Sequence, residues 1–295
     1  MAAPRNHGHL AAMDTETPDI SPSGVAPAAL EAYSALLSRV FGSGPKFTPE
    51  AIAWRYRDNP AGQVVGADAW ADSVLAAHYV TCPMRAVVEG RPLKGLLSLN
   101  TATHPDFQGR GLFTRLARAT YEQGADQGYD FVIGVANAQS TPGFLGRLGF
   151  QHVGRLEAGL LAAAPRRFAD APLQFCGDWD AAMLGWRLAN PAARYRTARL
   201  GDLTAVYADT HLSGVRCAAF VDGEALGATG AAPLGFTLFL GLDPRFSLDG
   251  PRFLRLPDRF RPSPLNLIYR PLNEAAPRSL DPKATAISFL DFDPY

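Results

Sequence analysis

The 295-residue sequence predicts an α/β fold, with a mixed and mostly antiparallel sheet flanked by helices. Three observations carry this. Helix-period segments near the start give way to alternating, β-branched runs. The most amphipathic helix in the chain then sits between two apolar strands. The second half returns to strands after a single helix. The length suits about two compact units. Lys+Arg and Asp+Glu both number 28, so the formal charge is zero, which excludes a strongly basic nucleic-acid binder. Hydrophobic residues at 47% against 19% charged exclude a chain too polar to fold.

The elements follow in order. Residues 1–26 are rich in Pro, Ser, Asp and Thr without sustained periodicity and read as a loose arm. Pro27 suits the first position of a helix reaching Phe41. Thr48, Pro49 and Glu50 start a second helix, which Asn59-Pro60 ends because Pro60 disfavours helical geometry before it. Strands are expected over 63–69, 73–80, 84–89 and 93–103, with Pro83 as a break. Leu112, Leu116, Ala119 and Gln123 mark a helix over 111–127, stopped by Gly128. A strand over 130–135, a short helix over 142–148 and one long strand over 150–161 complete the first half.

The second half begins near Pro165 with a helix carrying Trp179, Met183 and Trp186, and this too stops at Asn-Pro. Trp54-Arg55 before Asn59-Pro60 and Trp186-Arg187 before Asn190-Pro191 suit either an internal duplication or a common helix stop used twice. Later strands are expected over 217–221, 235–242, 265–271 and 286–292. Cys82, Cys176 and Cys217 form no CxxC pair and the histidines have no ligand spacing, so thiols in a reducing compartment and no metal are expected. Apolar stretches such as 234–242 fall short of the ~18 residues of a spanning helix, and the N-terminus lacks a signal pattern. A cytoplasmic protein without a membrane span is the expectation.

Chemistry concentrates between Leu96 and Phe150. A strand enters Thr103-His104-Pro105-Asp106-Phe107, then Gln108-Gly109-Arg110-Gly111, then the amphipathic helix. Successive N–H groups at such a turn, with the positive end of the helix dipole, suit an anionic phosphate. Gly109 and Gly111 let the main chain curl, Arg110 adds charge, and Thr114 places a hydroxyl in the first turn. The Lys-Ser/Thr of a nucleoside-triphosphate loop is absent, since Leu112 and Phe113 follow Gly111.

The run His-Pro-Asp-Phe-Gln-Gly-Arg-Gly resembles the acyl-coenzyme A signature of the GCN5-related N-acetyltransferase (GNAT) family, Gln/Arg-x-x-Gly-x-Gly/Ala. Gln108 and Gly111 match it, and Phe113 departs from its final Gly/Ala. Asn137 and Arg147-Leu148-Gly149-Phe150 stand where the family has later landmarks. The resemblance implies a GNAT acyl-coenzyme A-binding domain over 27–164 and a smaller, degenerate GNAT-like half over 165–295. It further implies that two strands splay apart to admit the pantetheine arm along Thr101, Ala102 and Thr103. Gln108, Gly109, Arg110, Gly111, Leu112, Phe113 and Thr114 would hold the diphosphate, with Asn137 and Ser140 near the thiol end; for Asn137, capping of its own loop is an equal alternative. The implied activity is N-acetylation of a small-molecule amine, with acetyl-coenzyme A as co-substrate.

The family's usual acid and base do not carry over. The position of its acid Tyr is Leu145, and the strand before the signature offers Leu99 and Asn100 where a carboxylate is usual. Replacement candidates are His78, with Tyr79 next to it on the same expected strand, Asp293 and the carboxylate of Tyr295, with plainer alternatives: a satisfied core histidine, or a solvated tail. A catalytically silent acyl-coenzyme A-binding module is the rival reading. A transferase using an aminoacyl-RNA donor is a third, disfavoured by the intact turn.

Overall fold

The computed structural model describes residues 18–162, 171–200, 203–210, 212–222, 235–246, 248, 252–261 and 263–292. The expected boundary between 164 and 165 and most of the arm lie outside them. In the first half, helices α1 (Pro27–Phe41) and α2 (Pro49–Tyr56) precede an antiparallel set. This set contains β1 (Asp19–Pro22), β2 (Val65–Ala71), β3 (Val74–Val88) and β4 (Arg91–Thr103), paired in that order. Helix α3 (Leu112–Asp126) crosses to β5 (Phe131–Ala136), which runs parallel to β4. Then come α4 (Thr141–Arg147), β6 (Gln151–Arg155) and β7 (Glu157–Leu161).

The second half has β8 (Phe175–Gly177), α5 (Ala181–Leu188), β9 (Tyr195–Leu200), β10 (Leu203–Asp209) and β11 (Val215–Asp222). After these come β12 (Phe236–Leu242), β13 (Phe253–Arg255), β14 (Asn266–Pro271), β15 (Thr285–Ser288) and the single turn α6 (Phe289–Phe292). Its pairing repeats the first half: β9, β10 and β11 are antiparallel neighbours, and β12 is parallel to β11. Each half then takes its next strand from the other. Strand β14 inserts between β5 and β6, and β7 inserts between β12 and β13. Strands β8 and β15 bridge β3 to β12, so one sheet runs through both halves.

The two Asn-Pro helices meet at the junction. The rings of Trp54 and Trp186 stack with centroids 4.5 Å apart. Each indole N–H donates to the other's main-chain oxygen at 3.1 Å. Asn59 and Asn190 each accept the N–H two residues on, at 2.9 Å. Around β3, successive residues serve opposite layers. Tyr79 packs with Leu112, Leu116 and Tyr121 of α3, whereas Val80 packs with Leu30, Tyr33 and Leu37 of α1.

Five expectations change. The second-half helix starts only at Ala181, where Asp180 caps it, so Trp179 lies before it, and strand β8 precedes both. The arm contains β1, an exposed edge strand held by main-chain pairing, which hydrophobic periodicity does not register. Strands 73–80 and 84–89 are one strand: Pro83 falls between the end of β2 pairing at Thr81 and the start of β8 pairing at Ala86, where a lost N–H forfeits no ladder bond on that edge. The strand over 150–161 divides at Leu156, whose N–H donates to Leu265 O at 2.8 Å, so that its two parts enter different halves. The strand over 286–292 ends at Ser288, because Asp291 takes the Ser288 N–H at 2.7 Å and closes a helical turn.

Candidate active site: a splayed strand pair beside an amide-rich turn

Strands β4 and β5 pair from Gly95↔Phe131 to Ser98↔Gly134 and no further. At that point β4 carries a bulge. Val80 faces Leu99 and His78 faces Ala102, so Asn100 and Thr101 together oppose Tyr79. Asn100 has φ +47°, the left-handed region that Asn tolerates better than most residues. An extra residue bends the strand that carries it. Here the bend coincides with the parting of β4 from β5. A cavity of about 210 Å³ fills the gap, with Ser98, Asn100 and Thr101 on one wall and Val135, Asn137 and Ser140 on the other.

The amide-rich turn stands beside it. Gly109 and Gly111 have φ +76° and +72°, and a Cβ on either would meet nothing within 4 Å. Backbone conformation, not crowding, therefore demands glycine there. Gly111 is the N-cap of α3, without a side-chain cap. Among the described residues, no protein acceptor takes the N–H of Gly109, Arg110, Gly111, Leu112, Phe113 or Thr114. Six such donors at one helix start suit an anionic group.

The side chains of this stretch have separate duties. Gln108, Gly109, Arg110 and Gly111 are exposed, while Leu112 is buried in the core and offers only its main chain. Arg110 folds back over Phe107, 4.9 Å from the ring centroid, and bonds Asp106 O at 3.2 Å. Phe113 packs edge-on against Phe144 and Tyr79. Its ring lies 2.9 Å from where a Cβ on Gly143 would stand. Glycine on α4 thus makes room for a Phe where the signature has a small residue. Ala102 is buried, whereas Thr101 and Thr103 are half-buried. Asn137 Oδ1 accepts the N–H groups of Gln139 and Ser140 at 3.0 and 2.9 Å, so it caps its own loop while lining the gap.

His78 does not open onto the gap. It is fully buried, with Nδ1 2.6 Å from Asp68 Oδ1 and Nε2 3.1 Å from Tyr56 Oη. Leu145 is half-buried against the α3 layer and has no proton to give. Asp293 and Tyr295 lie outside the described residues. Phe292, just before them, lines a small pocket with Leu97 and Leu99, and Leu99 also borders the gap. Ser98 was not singled out in the sequence. Its Oγ bonds Tyr79 Oη at 2.8 Å, and Tyr79 bonds Tyr121 at 2.6 Å. Burial pushes the Tyr79 hydroxyl up to about 12. Among the described residues no cluster of His, Cys, Asp or Glu suits a metal ion, and no helix is long and apolar enough to cross a membrane.

The second half has the corresponding gap in another state. Strands β11 and β12 pair from Val215↔Phe236 to Ala218↔Phe239. Beyond that, on the same edge, Gly241 and Leu242 pair with Ser288 and Ile287 of β15. A Cβ on Gly241 would collide with the Ile287 carbonyl.

Comparison with known proteins agrees with this geometry. The family model for the acetyltransferase (GNAT) domain matches residues 23–153. No curated protein matches the chain. Among solved structures, a probable N-acyltransferase from Enterococcus faecalis superposes with a TM-score of 0.59 at 10% identity, over 87% of this chain and 73% of that one. A GCN5-related N-acetyltransferase from Kribbella flavida gives 0.58 at 13% identity, over 86% and 72%. Eis1 from Mycobacterium abscessus gives 0.57 at 12% identity, over 86% and 74%. With the bulged strand, the splay and the glycine turn all inside the matched segment, residues 23–153 match the GNAT acetyltransferase domain, and the chain as a whole shares the fold of these solved structures.

Proposed function

We propose that the protein is an acyl-coenzyme A-dependent N-acyltransferase that moves an acetyl group to the amine of a small molecule by direct attack on the thioester. One observation carries this reading: the open gap between β4 and β5 lies beside six main-chain N–H groups without protein acceptors. The diphosphate binds those amides at the positive end of α3, with the Thr114 hydroxyl beside it. The pantetheine amides extend the β4 edge at Thr101, Ala102 and Thr103 as an added strand would. Asn137 and Ser140 contact the arm from the opposite wall.

The thioester then lies near Ser98 and Asn100. The neutral amine attacks the carbonyl carbon, the C–N bond forms, the C–S bond breaks, and the electron pair leaves on sulfur. The family's tyrosine position is Leu145, so Ser98 Oγ, backed by Tyr79, donates the hydrogen bond that the thiolate needs. Asp293 is the proposed base for the ammonium proton; Phe292 beside Leu97 and Leu99 supports this.

The test measures free thiol released from acetyl-coenzyme A with glucosamine, lysine and glycinamide, with mass detection of the N-acetyl product. Thiol and product together are expected. Coenzyme A binding without thiol release from any amine establishes instead the silent binding module, which Leu145 and the absence of titratable side chains among the described gap-lining residues favour. Asp293→Asn is expected to lower turnover at neutral pH, and unchanged turnover removes Asp293 from the mechanism.

A further inference from the structure

A buried polar chain runs from the core to the wall of the gap. Asp68, 2% exposed, accepts hydrogen bonds from Ser23 Oγ at 2.8 Å and Tyr33 Oη at 2.6 Å. Its third neighbour is His78 Nδ1 at 2.6 Å. A carboxylate only accepts, so the proton of a neutral His78 ring stands on Nδ1 and Nε2 is left as an acceptor. Tyr56 Oη, 3.1 Å away, must then donate to Nε2. With its hydrogen committed inward, Tyr56 offers only a lone pair outward, and Asn100 Nδ2 donates to it at 2.9 Å.

Each step fixes the next, and the last one orients an amide. A free Asn side chain flips its N and O readily, but here Nδ2 is tied to Tyr56. Oδ1 of Asn100 has no protein donor among the described residues, and Asn100 lines the gap. Burying Asp68, His78, Tyr33 and Tyr56 is costly unless every polar atom finds a partner. Within the core they do, and the chain ends in one uncommitted acceptor at the cleft. Its backbone is left-handed at the bulge, so the orientation is fixed from both sides.

We propose that Asn100 Oδ1 accepts a hydrogen bond from the N–H of the incoming amine, and that Tyr56, His78 and Asp68 are positioning residues that hold the amide in this orientation. This rests on the acyltransferase reading above. The acceptor it selects is a neutral amine, which keeps an N–H to donate while its lone pair attacks. No proton crosses the chain; Tyr56 and His78 act only through Asn100.

The test is a double-mutant cycle in steady-state kinetics, with acetyl-coenzyme A and whichever of glucosamine, lysine or glycinamide the unaltered protein acetylates fastest. Asn100→Ala is expected to raise the KM for the amine about tenfold, the scale of one hydrogen bond, with the KM for acetyl-coenzyme A unchanged. Tyr56→Phe, which keeps the ring, is expected to raise it in the same direction. In the Asn100→Ala background Tyr56→Phe should add nothing. Additive losses overturn the positioning role. An unchanged amine KM in Asn100→Ala, or an equal rise for both substrates, overturns the role of Asn100. If Tyr56→Phe does not fold by circular dichroism, Asn100→Ala alone decides the matter. Thiol release absent from the unaltered protein overturns this inference together with the acyltransferase reading, whereas release with additive losses overturns the inference alone.

Discussion

The gap between β4 and β5 and the gap between β11 and β12 start alike and end differently. In both, two parallel strands pair for four residues and then part. In the first half, a bulge at Asn100 and Thr101 turns β4 aside, and α3 presents its amides next to the opening. In the second, β15 lies along β12 and fills the place that the first half leaves open. A splayed parallel pair is therefore a property of this sheet order. What sets the first gap apart is a helix start whose donors are left over and a wall that no strand among the described residues covers.

The exchanged strands should give the largest measurable effect. A fragment holding residues 18–162 lacks β14, so β5 and β6 both lose a neighbour. It is expected to show no cooperative thermal transition by circular dichroism. A sharp transition would mean that the first half closes its sheet alone.

Next is Gly241→Val, which drives a side chain into the Ile287 carbonyl. Urea denaturation should show a loss of ~1–3 kcal/mol from overpacking, with coenzyme A affinity in calorimetry unchanged. Altered affinity would show that the two gaps are coupled. Gly111→Val tests the open gap. A non-glycine residue at φ +72° should cost ~1–2 kcal/mol. Because the same turn holds the donor amides, coenzyme A affinity should fall by at least about tenfold.

The smallest effect separates the two helix caps. Thr48 accepts the Ala51 N–H at 3.2 Å and Asp180 accepts the Met183 N–H at 2.8 Å, each at the start of the Asn-Pro helix of its half. Thr48→Ala should cost ~1 kcal/mol at any pH. Asp180 differs: the Met183 N–H and then Arg85 hold its carboxyl below the usual carboxylate range. A depressed folded value means that its contribution is present above the unfolded value and is lost as pH falls through the folded one. Acid titration of the unfolding free energy below about pH 4 should therefore show a step that Asp180→Asn removes and Thr48→Ala leaves in place.

Local chemistry was legible in the sequence. Gly109 and Gly111 before an amphipathic run announced both α3 and the left-handed turn at its start, since positive φ and helix period are properties of neighbouring residues. Trp54 and Trp186 hinted at two related helices, and their stacking shows them in contact. What stayed hidden is non-local. Nothing in residues 151–161 marks Leu156 as the point where a strand changes halves, and nothing in Thr285 to Ser288 marks it as the filler of a gap. The polar chain was equally out of reach. Asp68, His78 and Asn100 stand on three strands, and only the bulge opposite Tyr79 brings Asn100 to Tyr56.

The reciprocal loan of β7 and β14 also bears on how the molecule is made. As the chain emerges from the ribosome, the sheet beside the gap stays unfinished until the residues of β14 have followed, after nearly all of the second half. Native pairings this distant in sequence slow folding and prolong exposure of unpaired edges. A nascent chain interrupted before Asn266 would then carry the whole glycine turn and still lack the finished sheet that supports the cleft. If the turn holds acyl-coenzyme A as proposed, its capture waits on the synthesis of β14, and a polypeptide released before that point has little chance of sequestering it.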